Sequence, residues 1–491
     1  MLTLALFCIT FVLYWTWRHR NTKSKLEPPT YPGGLPLIGH AHFLMGDTVC
    51  LWNTMREVSH NTLRLGGVIT ASIGPRTLYV VTDPEDSLTV ANACLQKDFM
   101  YEFAKPWLGD GLLTGKVSIW KRHRILLNPA FSQRVLDGFQ GVFNSQSRRL
   151  VKDLEVKVGK GPFDHLVYLR RNALETVCLT TMGVDFSKDS VLFSQYEQAM
   201  GQMLNSLTER FQKLWLHNDF IYSFSTLKKK DDQCLRILHN MCDKVLQARK
   251  AAHLNNKKNE VEASKGTKLK AFLDLLLELS IETGAFNDSE IREEVNTMIA
   301  VGHNTTADVL MFTLVLIGSY TKVQERIFEE LQNVFGDDDR DVTKQDLSRL
   351  VYLEAVLKES MRIYPIVPVT ARRLHENVKL KNYTLTAGRT CVIFIYGIHR
   401  HPMWGDDAEE FKPERWLDKT TLPSCPTAFA AFSIGRRVCI GKQFAFMAMK
   451  TTLAHVLRHY RVKGDQTKMV LKADVVLKPK YGHYISIEKR S

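Results

Sequence analysis

What this sequence lacks narrows it before any motif is read. Its nine cysteines (Cys8, Cys50, Cys94, Cys178, Cys234, Cys242, Cys391, Cys425 and Cys439) are odd in number, and no two stand in C-x-x-C spacing. A disulfide framework or a structural zinc site needs paired or clustered cysteines, so neither is expected, and a reducing surrounding is. There is no H-E-x-x-H, no Walker A and no G-x-S-x-G, which removes support for zinc hydrolysis, P-loop chemistry and α/β-hydrolase chemistry. Acidic side chains are in deficit: 66 Lys and Arg stand against 52 Asp and Glu, a formal charge of +14. Such a surface suits anionic lipid, an acidic protein or nucleic acid. Without zinc-finger spacing or an RNP-like aromatic pattern, nucleic acid is not expected.

What is present is enough for a large folded body. The 491 residues are 45% hydrophobic and 24% charged, an ordinary globular composition. Met1 to Trp17 is almost continuously apolar and is followed by Arg18, His19 and Arg20. About 17 apolar residues is the lower limit for a spanning helix, and charge after the run holds that end in the cytosol. A cleaved signal peptide would carry charge before the run and small residues after it. The expectation is an N-terminal membrane anchor over residues 1–20. Residues 21–41 are basic and then rich in proline and glycine (Pro28, Pro29, Pro32, Gly33, Gly34, Pro36), which forbids a helix and reads as a stiff hinge. Residues 42–491 make up the main folded body, read as one large domain.

Within that body the pattern is helical from Leu51 to about Glu359, apart from a short alternating run at Leu78–Thr82. Residues 255–270 are polar and lysine-rich and read as a surface connection. Asn287 with Glu290 spells a capping box that opens a long apolar helix through Val295, Ile299, Leu310 and Leu314. Strand-like segments come late, at Cys391–Tyr396 and Tyr484–Ile487. The reading is a mainly α protein with small β-sheets.

The most informative segment is Phe432-Ser-Ile-Gly-Arg-Arg-Val-Cys439-Ile-Gly441, followed by a helical stretch from Lys442 to Leu457. A lone cysteine before a helix can serve as a soft metal ligand, its thiolate favoured by the positive helix end. Glycines on either side let backbone amides approach the sulfur and tune its electron donation. The segment resembles, at every fixed position, the F-x-x-G-x-R-x-C-x-G haem-binding loop of cytochromes P450. Five fixed residues give on the order of 10⁻⁴ chance matches in a chain of this length.

Further motifs follow in that family's order. Glu359-Ser-Met-Arg362 is E-x-x-R, with both side chains on one helical face. Pro413-Glu-Arg415-Trp416 is similar to the family's P-E-R-F/W segment, whose arginine completes a structural Glu–Arg–Arg network. Trp120 and Arg124, one turn apart, can donate charge-assisted hydrogen bonds to haem propionates. The resemblance adds Arg437 and Arg372 as the other propionate partners, with Arg373 as the alternative to Arg372. The segment Ala300-Val-Gly302-His-Asn304-Thr305-Thr306 is similar to the family's oxygen-activation helix, in which Gly302 makes room, Thr305 bonds oxygen and Asn304 holds the acidic position. Two residues depart from that pattern: Val301 narrows the space beside the haem, and Asn304 orients water but cannot ionise. The run from Ile291 to Thr306 resembles the animal clan that includes the family-4 fatty-acid ω-hydroxylases, insect members especially. Many of these esterify a glutamate to the haem; Val301 stands there instead, so that ester is chemically impossible.

From the resemblance follow a single triangular, mostly α domain and a haem b held by the Cys439 thiolate. It implies a monooxygenase that inserts one atom of O2 into an apolar substrate, lipid, fatty-acid-like or xenobiotic. Without a flavin or nicotinamide fingerprint, electrons are expected from NADPH–cytochrome P450 reductase docking on the basic face near Cys439, with cytochrome b5 as an additional partner. The expected location is the endoplasmic reticulum membrane, body in the cytosol. Two alternatives are a partner-independent peroxide isomerase or dehydratase and a non-catalytic haem carrier. His399 and His401 are expected on one face of a strand, in packing or surface roles rather than as metal ligands.

Overall fold

The computed structural model describes residues 2–21, 26–185, 190–259 and 270–490. The architecture is a helical mass with small sheets at its edge. At its centre runs the helix Asp288–Ser319, with the expected capping box: the Asn287 side chain accepts from the Glu290 amide at 2.9 Å, and the Glu290 carboxylate accepts from the Asn287 amide at 3.0 Å. It is buried nearly all round, from Ile291 and Val295 to Leu314 and Ile317. A helix apolar on every face belongs inside a large core or a membrane. Here 78% of its most apolar window is covered by the rest of the fold, so it is a core helix. It packs on the helix Leu166–Met182, and Gly302 sets how closely: a Cβ there would stand 3.2 Å from Val177 Cγ2. The notch read as space for oxygen is thus filled on that side by a neighbouring helix.

One four-stranded sheet is ordered Val68–Ile73, Arg76–Val81, Thr390–Phe394, Val369–Arg373 in space. The middle pair is parallel, with Val80 opposite Val392; the outer pairs are antiparallel, with Val68 opposite Val81 and Arg372 opposite Cys391. Three two-stranded ribbons complete the β structure among the described residues. Of the expected strands, Leu78–Thr82 and Cys391–Tyr396 fall within or beside this sheet, and the last overlaps Ser486–Lys489.

Residues 28–41 are not a free spacer. Thr70 N–H donates to Pro29 O at 2.8 Å, Tyr31 N–H to Thr70 O at 2.8 Å and His40 N–H to Ser72 O at 2.6 Å, pinning the segment to the edge strand. Proline-rich chain cannot join a sheet centrally but can line its edge, where missing donors cost nothing. The apolar N-terminal run is a helix, Leu2–Asn21, with Phe7, Ile9, Phe11 and Tyr14 exposed. Of the lysine-rich connection, residues 260–269 lie outside the described residues.

His399 and His401 do not lie on a strand. The chain leaves the sheet at Phe394 into a helical turn, Ile395–Ile398, and His399 follows it fully buried. His401 caps the next turn, accepting from Met403 N–H at 3.3 Å. Strand-like composition lost here because Gly397 must fit against Thr82 and Ser59, a close approach that the turn provides. Among the described residues no group of three or more His, Cys, Asp or Glu side chains is arranged to hold a metal.

Candidate functional site

The Cys439 loop is closed by its own backbone. Cys439 N–H donates to Phe432 O at 2.9 Å and Val438 N–H to Gly435 O at 3.1 Å. Gly435 has φ +70°, and a Cβ on it would meet Ala91 and Asn92 within 3 Å, so no other residue fits. Arg436 N–H donates to Asn92 Oδ1 at 3.2 Å, fastening the loop to the helix Pro84–Ala93. Phe432 packs on Phe446, ring centroids 5.4 Å apart, and so rests on the helix Lys442–His459 that follows. Gly441, the residue before that helix, sends its amide to the sulfur.

Cys439 keeps open surface although protein surrounds it on nearly all sides, so the thiol faces an internal cleft. Burial pushes this thiol up; the Gly441 amide and the charges of Arg124 and Lys442 oppose the shift. A bound cation is what converts such a thiol to thiolate outright. In the central helix, otherwise buried, Val301, Gly302, Thr305 and Thr306 keep partial exposure and share one side. The hydroxyls of Thr305 and Thr306 donate to the carbonyls of Val301 (2.7 Å) and Gly302 (2.8 Å). Asn304 is buried.

Beside the cysteine, cations converge without anions. Arg372 is fully buried and uses Nη1 on Thr370 Oγ1 and Ala371 O, at 2.9 and 3.1 Å, but its Nε and Nη2 have no partner. Strand alternation turns Arg373 outward to solvent. Arg437 lies over the Trp120 ring, 4.4 Å from its centroid, and donates to Gly115 O at 3.1 Å, leaving Nε unpartnered. Burial, and then the charge of Arg372, bring Arg437 down to about 10. Lys97 was invisible in the sequence reading. It is paired through the backbone with Arg372, approaches Thr370 Oγ1 at 3.5 Å, and is driven well below its ordinary value by burial and by Arg372 and Arg437. No carboxylate forms an ion pair with Lys97, Arg372 or Arg437 among the described residues. Buried unsatisfied guanidinium donors are costly. The donor set fits a group that brings two carboxylates of its own, as a haem does. Arg124, whose Nη1 donates to Val438 O at 3.1 Å, completes the rim.

Behind the loop lies the Glu–Arg–Arg network. Glu359 accepts from Arg362 Nε and Nη2 (2.8 Å each), Arg415 Nε (2.9 Å), Trp416 Nε1 (3.0 Å) and Lys412 N–H (3.0 Å). Burial acts to raise Glu359, but the two guanidiniums outweigh it and hold the carboxyl below its usual value. Sequence reasoning also missed His123, whose Nδ1 lies 2.6 Å from Glu294 Oε1, both fully buried. It ties the helix Val117–Leu127, which carries Trp120 and Arg124, to the central helix. No local spacing links residues 171 positions apart.

A single cysteine in a closed loop before a helix, facing a cationic cleft, is the arrangement of a haem-thiolate protein. A family model described as "Cytochrome P450" matches residues 28–486. Cytochrome P450 4V2 of Rattus norvegicus is 34% identical over 475 residues, covering 94% of this chain and 90% of that protein. The Homo sapiens protein of the same name is 33% identical, with the same coverage. Cytochrome P450 4c3 of Drosophila melanogaster is 32% identical over 98% of this chain and 93% of its own length. The chain belongs to the cytochrome P450 family, with family-4 relatives in mammals and insects. Membership carries a haem with a cysteine thiolate, and the chain is a P450 monooxygenase.

Proposed function

We propose that this monooxygenase holds a non-covalent haem b on Cys439 and oxidises an apolar, lipid-like or xenobiotic substrate with electrons from NADPH through a separate reductase. The observation that carries the reading is the set of orphaned donors on Arg372 and Arg437 beside Cys439, with no carboxylate among the described residues paired to them. When bound there, the haem supplies oxygen activation and the oxidation of a C–H bond. Arg372, Arg437, Lys97, Arg124 and Trp120 would take its propionates, and Cys439, oriented by Phe432, Gly435 and Gly441, would supply the thiolate that holds its iron. Val301 has no carboxyl to esterify, which supports non-covalent binding. Thr305, with its hydroxyl on the exposed side of the central helix, would position a proton at the oxygen side of the cleft, and Asn304 would orient water.

Arg436 and Lys442 are exposed on either side of Cys439, and Lys121 is exposed on the helix that carries Arg124; these charges suit an acidic electron donor, a reductase or cytochrome b5. For the membrane, Trp215, Phe220, Ile221 and Phe224 are exposed in one stretch and Leu37 and Met45 in another, and Gln212 Nε2, just before the first, donates to Gly46 O, just after Met45, at 3.4 Å. Together with the N-terminal helix this apolar surface supports attachment to the cytosolic side of the endoplasmic reticulum. Removing residues 1–20 is expected to move the protein toward the soluble fraction with its haem retained.

The deciding experiment mixes the full-length holoenzyme with NADPH–P450 reductase and substrates chosen by the haem spin-state shift. Reductase-dependent NADPH oxidation with hydroxylated product is the expected result. Peroxide rearrangement without reductase, or haem binding with no turnover, would replace this reading by an isomerase or a carrier.

A further inference from the structure

One helical turn beyond Asn304, on the same side of the central helix, stands a carboxylate that no motif selected. Asp308 is fully buried. Its Oδ1 accepts from Arg170 Nη2 at 3.3 Å, while its Oδ2 has no partner. Positions 304 and 308 are i, i+4, and 305 and 308 are i, i+3, so Asp308 adjoins both residues of the oxygen segment. Arg170 is a poor neutraliser here: its contact is single and long, and its Nε is itself unpartnered. A buried carboxylate with so incomplete a counter-charge is costly, and burial favours its protonated form.

We infer that Asp308 supplies the acid that position 304 lacks, storing a proton one turn along the helix and releasing it toward Thr305. This rests on the monooxygenase reading above. Asp308 does not touch the reacting atoms; it acts through Thr305 and ordered water, as a positioning residue for the proton. In the step, the O–H bond of the Asp308 carboxylic acid breaks and the proton passes across the Asn304–Thr305 turn to the oxygen side of the cleft. No electron moves at Asp308. The carboxylate left behind is held by Arg170 and Lys478 until solvent, which reaches Arg170 where its side chain is 31% exposed, returns a proton.

The groups facing Asp308 fit this assignment. Burial raises its carboxyl above the ordinary value, against the charges of Arg170 and Lys478, and Asp474 adds to the rise. Lys478, on the C-terminal hairpin, is lowered by burial and has Asp308 as its foremost opposing charge. It shares itself with Asp474, 3.7 Å away, which also pairs with Lys472 at 3.1 Å. Arg170 is shared with Glu197, whose carboxyl burial also raises. His303 on the same helix is neutral, held down to about 4 chiefly by burial, and its Nδ1 donates to Ile299 O at 3.1 Å. Asp308 is therefore an acid beside the Asn304–Thr305 turn without a full counter-charge.

The test has two parts. In the resting holoenzyme, infrared spectroscopy should show the carbonyl stretch of a buried protonated carboxylic acid, shifted in D2O and absent from Asp308→Asn. During turnover with reductase and a spin-shifting substrate, Asp308→Asn should raise hydrogen peroxide released per NADPH several-fold, and Asn304→Asp placed in that background should lower it again. If Asp308→Asn cannot hold haem, Arg170→Gln carries the second part. It unbalances the same carboxyl from the surface side and is expected to change the peroxide ratio at least two-fold. An unchanged ratio with intact haem, no recovery by Asn304→Asp, or an infrared band that persists in Asp308→Asn would overturn the assignment. The infrared reading needs no turnover, so a wild type that fails to oxidise NADPH counts against the monooxygenase reading while the band still judges Asp308.

Discussion

His399 Nε2 accepts a hydrogen bond from the Ala430 amide at 2.9 Å, and its Nδ1 lies 3.1 Å from Arg362 O. One neutral imidazole thus joins the Glu359–Arg362–Arg415 network to the start of the cysteine loop. Burial, with Arg362 and Arg400 nearby, keeps the ring uncharged, and Nε2 can accept only in that form.

The network should therefore fail from its centre. Glu359→Gln leaves two buried guanidiniums without a counter-charge, which typically costs roughly 3–5 kcal/mol. His399→Ala, which orphans one buried amide, should cost about 1–3 kcal/mol. Urea midpoints of the two variants should rank in that order, both below wild type. A Glu359→Gln protein as stable as wild type would mean the charges are balanced elsewhere.

Cys439→Ser should abolish the strongly red-shifted Soret band of the ferrous–CO protein, because serine offers no thiolate to the iron. The spectrum of dithionite-reduced protein under CO checks this, and persistence of the band would remove Cys439 from the site.

Neighbouring arginines should separate cleanly. Arg372→Ala is expected to lower haem retention at least ten-fold and Lys97→Ala to lower it less, whereas Arg373→Ala, on the solvent side of its strand, should leave it unchanged. Haem transfer to apomyoglobin measures all three.

Acid–acetone should extract the haem completely, since Val301 provides no carboxyl for an ester. Haem remaining with the precipitated chain would call for another attachment point.

Stability should fall as pH drops from about 6.5 toward 4. His165 and His303 are buried and each is pushed down to about 4, mainly by burial. In the unfolded chain they take up protons near pH 6.5, while the native state cannot, so protons are drawn to the unfolded state across that window. Each histidine contributes up to about 2 kcal/mol of loss by pH 5. Urea midpoints at pH 7 and pH 5 measure the fall, and His303→Gln should flatten it.

The chemistry of this protein was legible in its sequence because it is built on local rules. A thiolate loop needs a fixed spacing of cysteine, glycine and arginine. A capping box needs Asn287 and Glu290 three apart, and a core helix needs apolar residues on every face. Only the tertiary structure could decide what depends on distant chain meeting. Strand pairing with Cys391 buries Arg372 and turns Arg373 outward, and it brings Lys97 to the same cleft. His123 finds Glu294 across 171 positions, and Asp308 finds Arg170 across 138. The turn after Phe394 overrode the strand expected at His399, since packing Gly397 against Thr82 outweighs a weak local β preference. Charged groups carry no periodicity that reveals burial. Whether each is a solvated surface charge or an unpaired acid beside the site is set by the elements that close over it.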